Sequence, residues 1–155
     1  MAVKVKEQFS DVLTQNDLID TATVACTAGV WVKLGEYPIS AGQALSTGYG
    51  PYGSQETAIG RFYCELKDEV PGVIHGKLRL SLFSPQGRPG PIIGEYRTNI
   101  LGANANDRTK QVPFPEHGLT FLEDQKLVLE FLPDTTETLT RANCTLLMDV
   151  TNMVV

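Results

Sequence analysis

The sequence predicts an all-β protein: a single antiparallel β-sandwich or jelly roll with a short N-terminal helix or arm. Three observations carry this. Apolar and polar residues alternate with a period of two in one run after another from position 22 almost to the C-terminus. Segments rich in Gly, Pro and Asn separate those runs, as turns between short strands do. Helical periodicity is absent after residue 20. The division expected is an arm or short helix over 1–20 and a sandwich domain over 21–155, long enough to bury a core without staples.

In chain order, "KVKEQFSDVLTQNDLI" over 4–19 places Val5, Phe9, Val12 and Leu13 near one helical face, and fits an extended arm equally well. From Ala22 the even positions read Ala22, Val24, Cys26, Ala28, Val30, Val32 and Leu34, one half-buried strand bent at Gly29. Trp31 breaks that phase and points to the opposite face. "TAIGRFYCELK" aligns Ala58, Gly60, Phe62, Cys64 and Leu66. "VIHGKLRLSLF" puts Ile74, Leu78, Leu80 and Leu82 inward, with His75, Lys77, Arg79 and Ser81 outward. "PIIGEYRTNIL" and "KLVLEFL" are further strands. The last run sets Ala142, Cys144, Leu146, Met148 and Val150 against Arg141, Asn143, Thr145, Asp149 and Thr151. Seven to nine strands result. Three long connections, "STGYGPYGSQ", "FSPQGRPGPIIG" and "LGANANDRTKQVPFPEHG", are the kind of loops that carry function on a small sandwich.

Composition narrows the function. Net charge is −5, so no groove of clustered cations for nucleic acid is expected, nor adhesion to an anionic membrane. "MAVKVKEQF" has no apolar segment behind its basic start, and no run approaches the length of a membrane span. Cys26, Cys64 and Cys144 are widely spaced, unlike zinc ligands, and read as small buried side chains.

Tests for chemistry return nothing firm. "STGYGPYGSQETAIGRFY" lacks the lysine and the following helix of a phosphate cradle, and reads as a projecting turn with Tyr49 and Tyr52 available for contact. Cys64, His75 and Asp68 can be imagined as a nucleophilic set, but no signature surrounds Cys64. Two isolated histidines, His75 and His117, fall short of a cupin metal site. Asn104, Asn106 and Asp107 could offer oxygens to calcium, against the alternative of an ordinary asparagine-rich turn. "SPQGRPGP" reads as a rigid loop tip in preference to a polyproline ligand, and Asn143 lies within a strand, not in a glycosylated loop. No enzyme, cofactor or metal is therefore expected. Charge is more informative. Residues 77–110 hold six cations against two carboxylates, and residues 116–137 hold six carboxylates against one lysine. These blocks either pair within the domain or set a head-to-tail register between copies.

At "GEYPISAGQALSTGYG" and "LEDQKLVLEFLPD…TLTRANCTLLMDVTN" the chain resembles virion structural proteins: the jelly-roll or β-sandwich capsid, decoration and cement proteins of DNA viruses and phages. The resemblance spans the whole chain in style and transfers no residue roles. It implies a non-enzymatic shell protein (a minor capsid, decoration or cement protein), made in the host cytoplasm, that forms homo-oligomers, trimers above all, and binds other capsid proteins without touching nucleic acid or membrane. An acidic chain suits the outer side of such a shell. The residues expected at contacts are Trp31, Tyr37, Tyr49, Tyr52, Pro89, Pro91, Tyr96, Phe114 and Pro115. The competing expectation is a carbohydrate-binding sandwich, with Trp31, Tyr49, Tyr52 and Tyr96 as a sugar platform.

Overall fold

A computed structural model describes residues 7–47, 59–84, 88–98, 111–113, 120–121 and 125–154. The described elements are strands β1 (Glu7–Thr14), β2 (Thr23–Cys26), β3 (Val32–Pro38), β4 (Gln43–Thr47), β5 (Ile59–Glu65), β6 (Gly76–Phe83), β7 (Pro89–Arg97), β8 (Gln111–Pro113), β9 (Thr120–Phe121), β10 (Lys126–Pro133), β11 (Glu137–Thr140) and β12 (Thr145–Val154). One helical turn, α1 (Gln15–Leu18), follows β1, and a 3-10 turn, Arg141–Asn143, precedes β12. The chain is an antiparallel all-β fold. One sheet runs β8-β5-β12-β4-β9, with β1 also on β12, and the other runs β3-β10-β6-β7. A small third ladder joins β11 to β2. No helix among the described residues is long and apolar enough to cross a membrane.

The core lies between the two larger sheets. Leu45, Cys64, Leu146, Met148 and Val150 come from the first, and Leu34, Leu78, Leu80, Leu127, Leu129 and Phe131 from the second. Val24, Cys26 and Leu139 close one end from the small ladder. Inward positions at i, i+2 and i+4 are what a pleated strand with one apolar face supplies.

Three sequence expectations change, and one open choice is resolved. Of the helix and the extended arm that 4–19 allow, Glu7–Thr14 take the extended form as β1, and helix is confined to Gln15–Leu18. Eight residues of β1 pair with β12 from Glu7↔Val154 to Thr14↔Leu147, and this ladder overrides weak helical spacing. Asp17 then starts the helical turn by accepting the Thr14 N–H at 2.9 Å. The single strand over 22–34 is two, β2 and β3, because Gly29 adopts φ +75 and the Val30 N–H closes a turn on the Thr27 carbonyl at 3.1 Å. Ala22, Ala28 and Val30 are consequently exposed. Ser81 is buried, not outward to solvent, because the β6–β7 register shifts around it and it sits opposite the fully buried Val128. Finally, the described residues alone contain twelve strands. The excess comes from short pieces, such as β8, within a segment read as loop, and β9, just beyond it.

Among the described strands, both edges of the four-stranded sheet are blunted. Edge strand β7 opens with Pro89 and Pro91, which have no N–H to offer a neighbour. Edge strand β3 is covered by the chain after α1: the Asp20 N–H donates to the Leu34 carbonyl at 3.0 Å, and the Glu36 N–H donates to Asp20 Oδ1 at 3.3 Å.

Candidate functional site

The outer face of the four-stranded sheet is a ladder of charge. Register places Lys33, Glu130, Arg79 and Glu95 side by side across β3, β10, β6 and β7, alternating in sign. Arg79 meets Glu130 through two nitrogens, Nε at 3.2 Å and Nη2 at 3.1 Å. Its guanidinium also lies 3.9 Å from the centroid of the Trp31 ring. Trp31 is thus on the outer side, as its phase implies, but half-buried beneath a cation. Lys77–Glu95 at 3.9 Å and Arg97–Asp134 at 2.8 Å extend the ladder toward the β7 edge. Two of these pairs, Arg79–Glu130 and Arg97–Asp134, join the cationic and acidic blocks within one chain. Of the two roles open to those blocks, pairing inside the domain is the one these four residues perform.

Glu36 anchors the other edge, 3.3 Å from Lys33 and 3.2 Å from Lys126. Partial burial raises its carboxyl pKa, whereas hydrogen bonds and charge from the two lysines lower it, and the net position is below the usual carboxylate value. A depressed folded pKa contributes stability that is complete above the unfolded pKa and is lost as pH falls through the folded one. Glu36→Gln is therefore expected to lower stability by about 0.5 kcal/mol at neutral pH. The difference from the parent closes in acid, below the ordinary carboxylate range. Paired thermal melts across that range check it, and a gap constant with pH excludes the ion pair as its cause.

The sequence-predicted contact residues divide. Tyr37 faces Leu127 and Tyr96 faces Leu78 across their ladders, so both turn toward the inner side and pack on the core. Burial pushes both hydroxyls above their ordinary pKa, with the Asp17 and Asp11 charges adding to the effect at Tyr37. Pro89 and Pro91 lie in β7, Pro89 opposite Phe83. Tyr49, Tyr52, Phe114 and Pro115 are outside the described residues, as are His117 and the calcium-type loop at Asn104, Asn106 and Asp107. None of the aromatic side chains whose burial is described is exposed, so those residues supply no bare sugar platform.

The imagined nucleophilic set does not assemble among the described contacts. Cys64 is buried in the core, and burial drives its thiol well above the ordinary value. Asp68 accepts the Val70 and Gly72 N–H groups at 3.0 and 2.7 Å, and His75 is exposed. All three cysteines are free and buried. No cluster of three metal-ligating side chains occurs among the described residues.

Sequence reasoning misses one feature, the tip between β5 and β6. There Asp68 also donates its N–H to the Gly72 carbonyl at 2.9 Å, and the Ile74 N–H bonds the Leu66 carbonyl at 2.8 Å. Asn143 Nδ2 donates to the Asp68 carbonyl at 2.9 Å from outside the tip. This tightly bonded turn holds Val70 82 % exposed and Val73 46 % exposed. The run "DEVPG" is the signal that marks it: a turn-forming Asp and Pro-Gly around a valine with no apolar partner in phase.

Against known proteins, no family model and no curated sequence matches the chain. Solved structures do. VP17, a capsid protein of bacteriophage P23-77, superposes with a TM-score of 0.60 over 99 % of both chains, at 10 % identity. This chain has the VP17 fold. The VP16–VP17 complex, a complex of the two major capsid proteins of the same phage, matches with a TM-score of 0.59 over 94 % of this chain and 98 % of that one, again at 10 % identity. At such identity the likeness is one of fold. It runs end to end, so the VP17 fold accounts for both sheets as one unit.

Proposed function

We propose that this chain is a non-enzymatic structural subunit of a virion shell, acting through contacts with copies of itself and with a second shell protein. The observation that carries the proposal is the end-to-end match to a phage capsid protein of nearly equal extent. The neighbouring structure in which VP17 is joined to VP16 supports a second capsid protein as partner. Because those two are major capsid proteins, that structure favours a shell-building role over surface decoration or cement. The ion-paired outer face suits this role: its charges are matched in place, so it stays soluble before assembly and offers complementary edges during it. Trp31, Pro89, Pro91 and Tyr96, which packs on the core and also lines a depression beside β7, are the contact residues retained among the described ones, with Tyr49, Tyr52, Phe114 and Pro115 completing the set. The acidic balance supports an outer position in the shell.

Quantitative mass spectrometry of purified virions from the source of this sequence tests the reading. The chain is expected among the most abundant proteins of the particle. Its absence from intact particles, with the protein present in the infected cell, overturns the proposal.

A further inference from the structure

We propose that the tip Asp68–Val73 of one copy docks into the shallow depression formed by Lys77, Glu95, Tyr96 and Arg97 of a second copy. The inference rests on the shell-subunit reading and names one contact within it. The tip is the first half of the argument. Of the three exposed large apolar side chains among the described residues, Val70 and Val73 belong to it, and Val70 is the most exposed. A flexible loop could carry such a valine without consequence. This one is held by the Asp68 carboxylate, by the bond of Asp68 to the Gly72 carbonyl and by Asn143, so its ordering cost is met on folding and not on binding.

Charge supplies the second half. Asp68, Glu69 and Glu137 surround the tip and line a hollow beside Val70, and the neighbouring Lys67 is engaged by Glu65 at 2.9 Å. The tip is therefore an apolar point in an acidic collar. The depression offers the counter-charges: it is about 250 Å³, with the half-buried Tyr96 and the cations Lys77 and Arg97 in its lining, matched in the free chain by Glu95 and by Asp134 beside Arg97. Lys77–Glu95 and Arg97–Asp134 are half-exposed pairs, and pairs of that kind are weak enough for the cations to take new carboxylates on docking. The blunted edges of β3 and β7 point the same way. With strand addition to this sheet disfavoured, copies meet through side chains. Tip and depression are different surfaces, so the contact builds a ring or a chain of copies unless a two-fold axis repeats it.

A charge swap tests this. Two double variants, Glu69→Lys with Glu137→Lys and Lys77→Glu with Arg97→Glu, alter only exposed or half-exposed side chains, and circular dichroism confirms that each keeps its strands. In sedimentation velocity at low salt, the wild type is expected to self-associate. Each double variant alone is expected to do so at least tenfold more weakly. An equal mixture restores association, because a reversed tip then meets a reversed depression. A monomeric wild type, unchanged association in either variant, or a mixture no better than its components overturns the contact. A chain abundant in virions that fails this test loses the contact and keeps the shell role; a chain absent from virions loses the shell role whatever its association.

Discussion

Replacing Phe131 by alanine is expected to lower stability by about 4 kcal/mol and the melting temperature by roughly 12 °C. Phe131 is fully buried on β10, the strand flanked by β3 and β6 at the middle of the four-stranded sheet. Its ladder partners are Val32 and Leu78, and its ring approaches Gly76 so closely that a Cβ built there would lie 2.6 Å from one ring carbon. The cavity left by the phenyl group is bounded by backbone on that side. The Gly76 N–H donates to Thr98 Oγ1 at 3.2 Å, and its carbonyl accepts the Thr98 N–H at 2.9 Å. Strands tied in this way collapse poorly into a void, which places the loss high in the range for Phe→Ala. Trp31, the single tryptophan, reports the transition by fluorescence from the same sheet. A loss under about 1 kcal/mol would mean that the ring does not fill the core.

Strand phase decides how much of the fold is legible in the sequence. Alternation through β6, β12 and the residues just before them puts Ile74, Leu78 and Leu80, then Cys144, Leu146, Met148 and Val150, on the buried side, where they are. Those residues keep one phase, as a period of two requires; Ala142, read with them, falls in the 3-10 turn and is exposed, and Asp149 and Thr151, read on the opposite face, are buried as well. The phase fails at bulges. β10 pairs Leu129 with Gly35 and Glu130 with Lys33, which leaves Leu34 as an extra residue in β3. Within β3 the even positions Val32 and Leu34 point inward and odd positions follow, so Tyr37 replaces Glu36 on the core side. A second shift, between Leu80 and Ser81 on the β6–β7 ladder, precedes the segment that sends Tyr96 inward opposite Leu78. Both tyrosines read as contact residues in the sequence because local sequence carries no mark of a register shift; the pairing partner sets it. The ion pairs are legible only as blocks of opposite sign. That Arg79 meets Glu130 and Arg97 meets Asp134 depends on which strands become neighbours across some 40 or 50 residues of chain.

Gly35→Ala is expected to cost about 3 kcal/mol and, unlike the loss at Phe131, to cause irregular aggregation as well. A Cβ at Gly35 would meet the Leu18 carbonyl group, 2.8 Å from its carbon, and the Asp20 nitrogen at 2.9 Å. These are backbone atoms, so no side chain can rotate away. Leu18 and Ile19 are fully buried and anchor the segment that must move. Relief comes only by lifting Leu18–Asp20 off β3. That breaks the bond from the Asp20 N–H to the Leu34 carbonyl and the bond from the Glu36 N–H to the Asp20 carboxylate. The edge of β3 then presents unpaired groups, a template for strand addition that the native chain closes. In the shell role proposed above, the distinction is decisive: orderly contacts require that the wrong ones be blocked. Thermal melts read the stability, and light scattering below the transition reads the aggregation. Asp20→Ala removes the side-chain acceptor without the steric push, and is expected to raise scattering with a smaller stability loss. A Gly35→Ala protein as stable and as clear in solution as the parent would show that β3 does not depend on this cover.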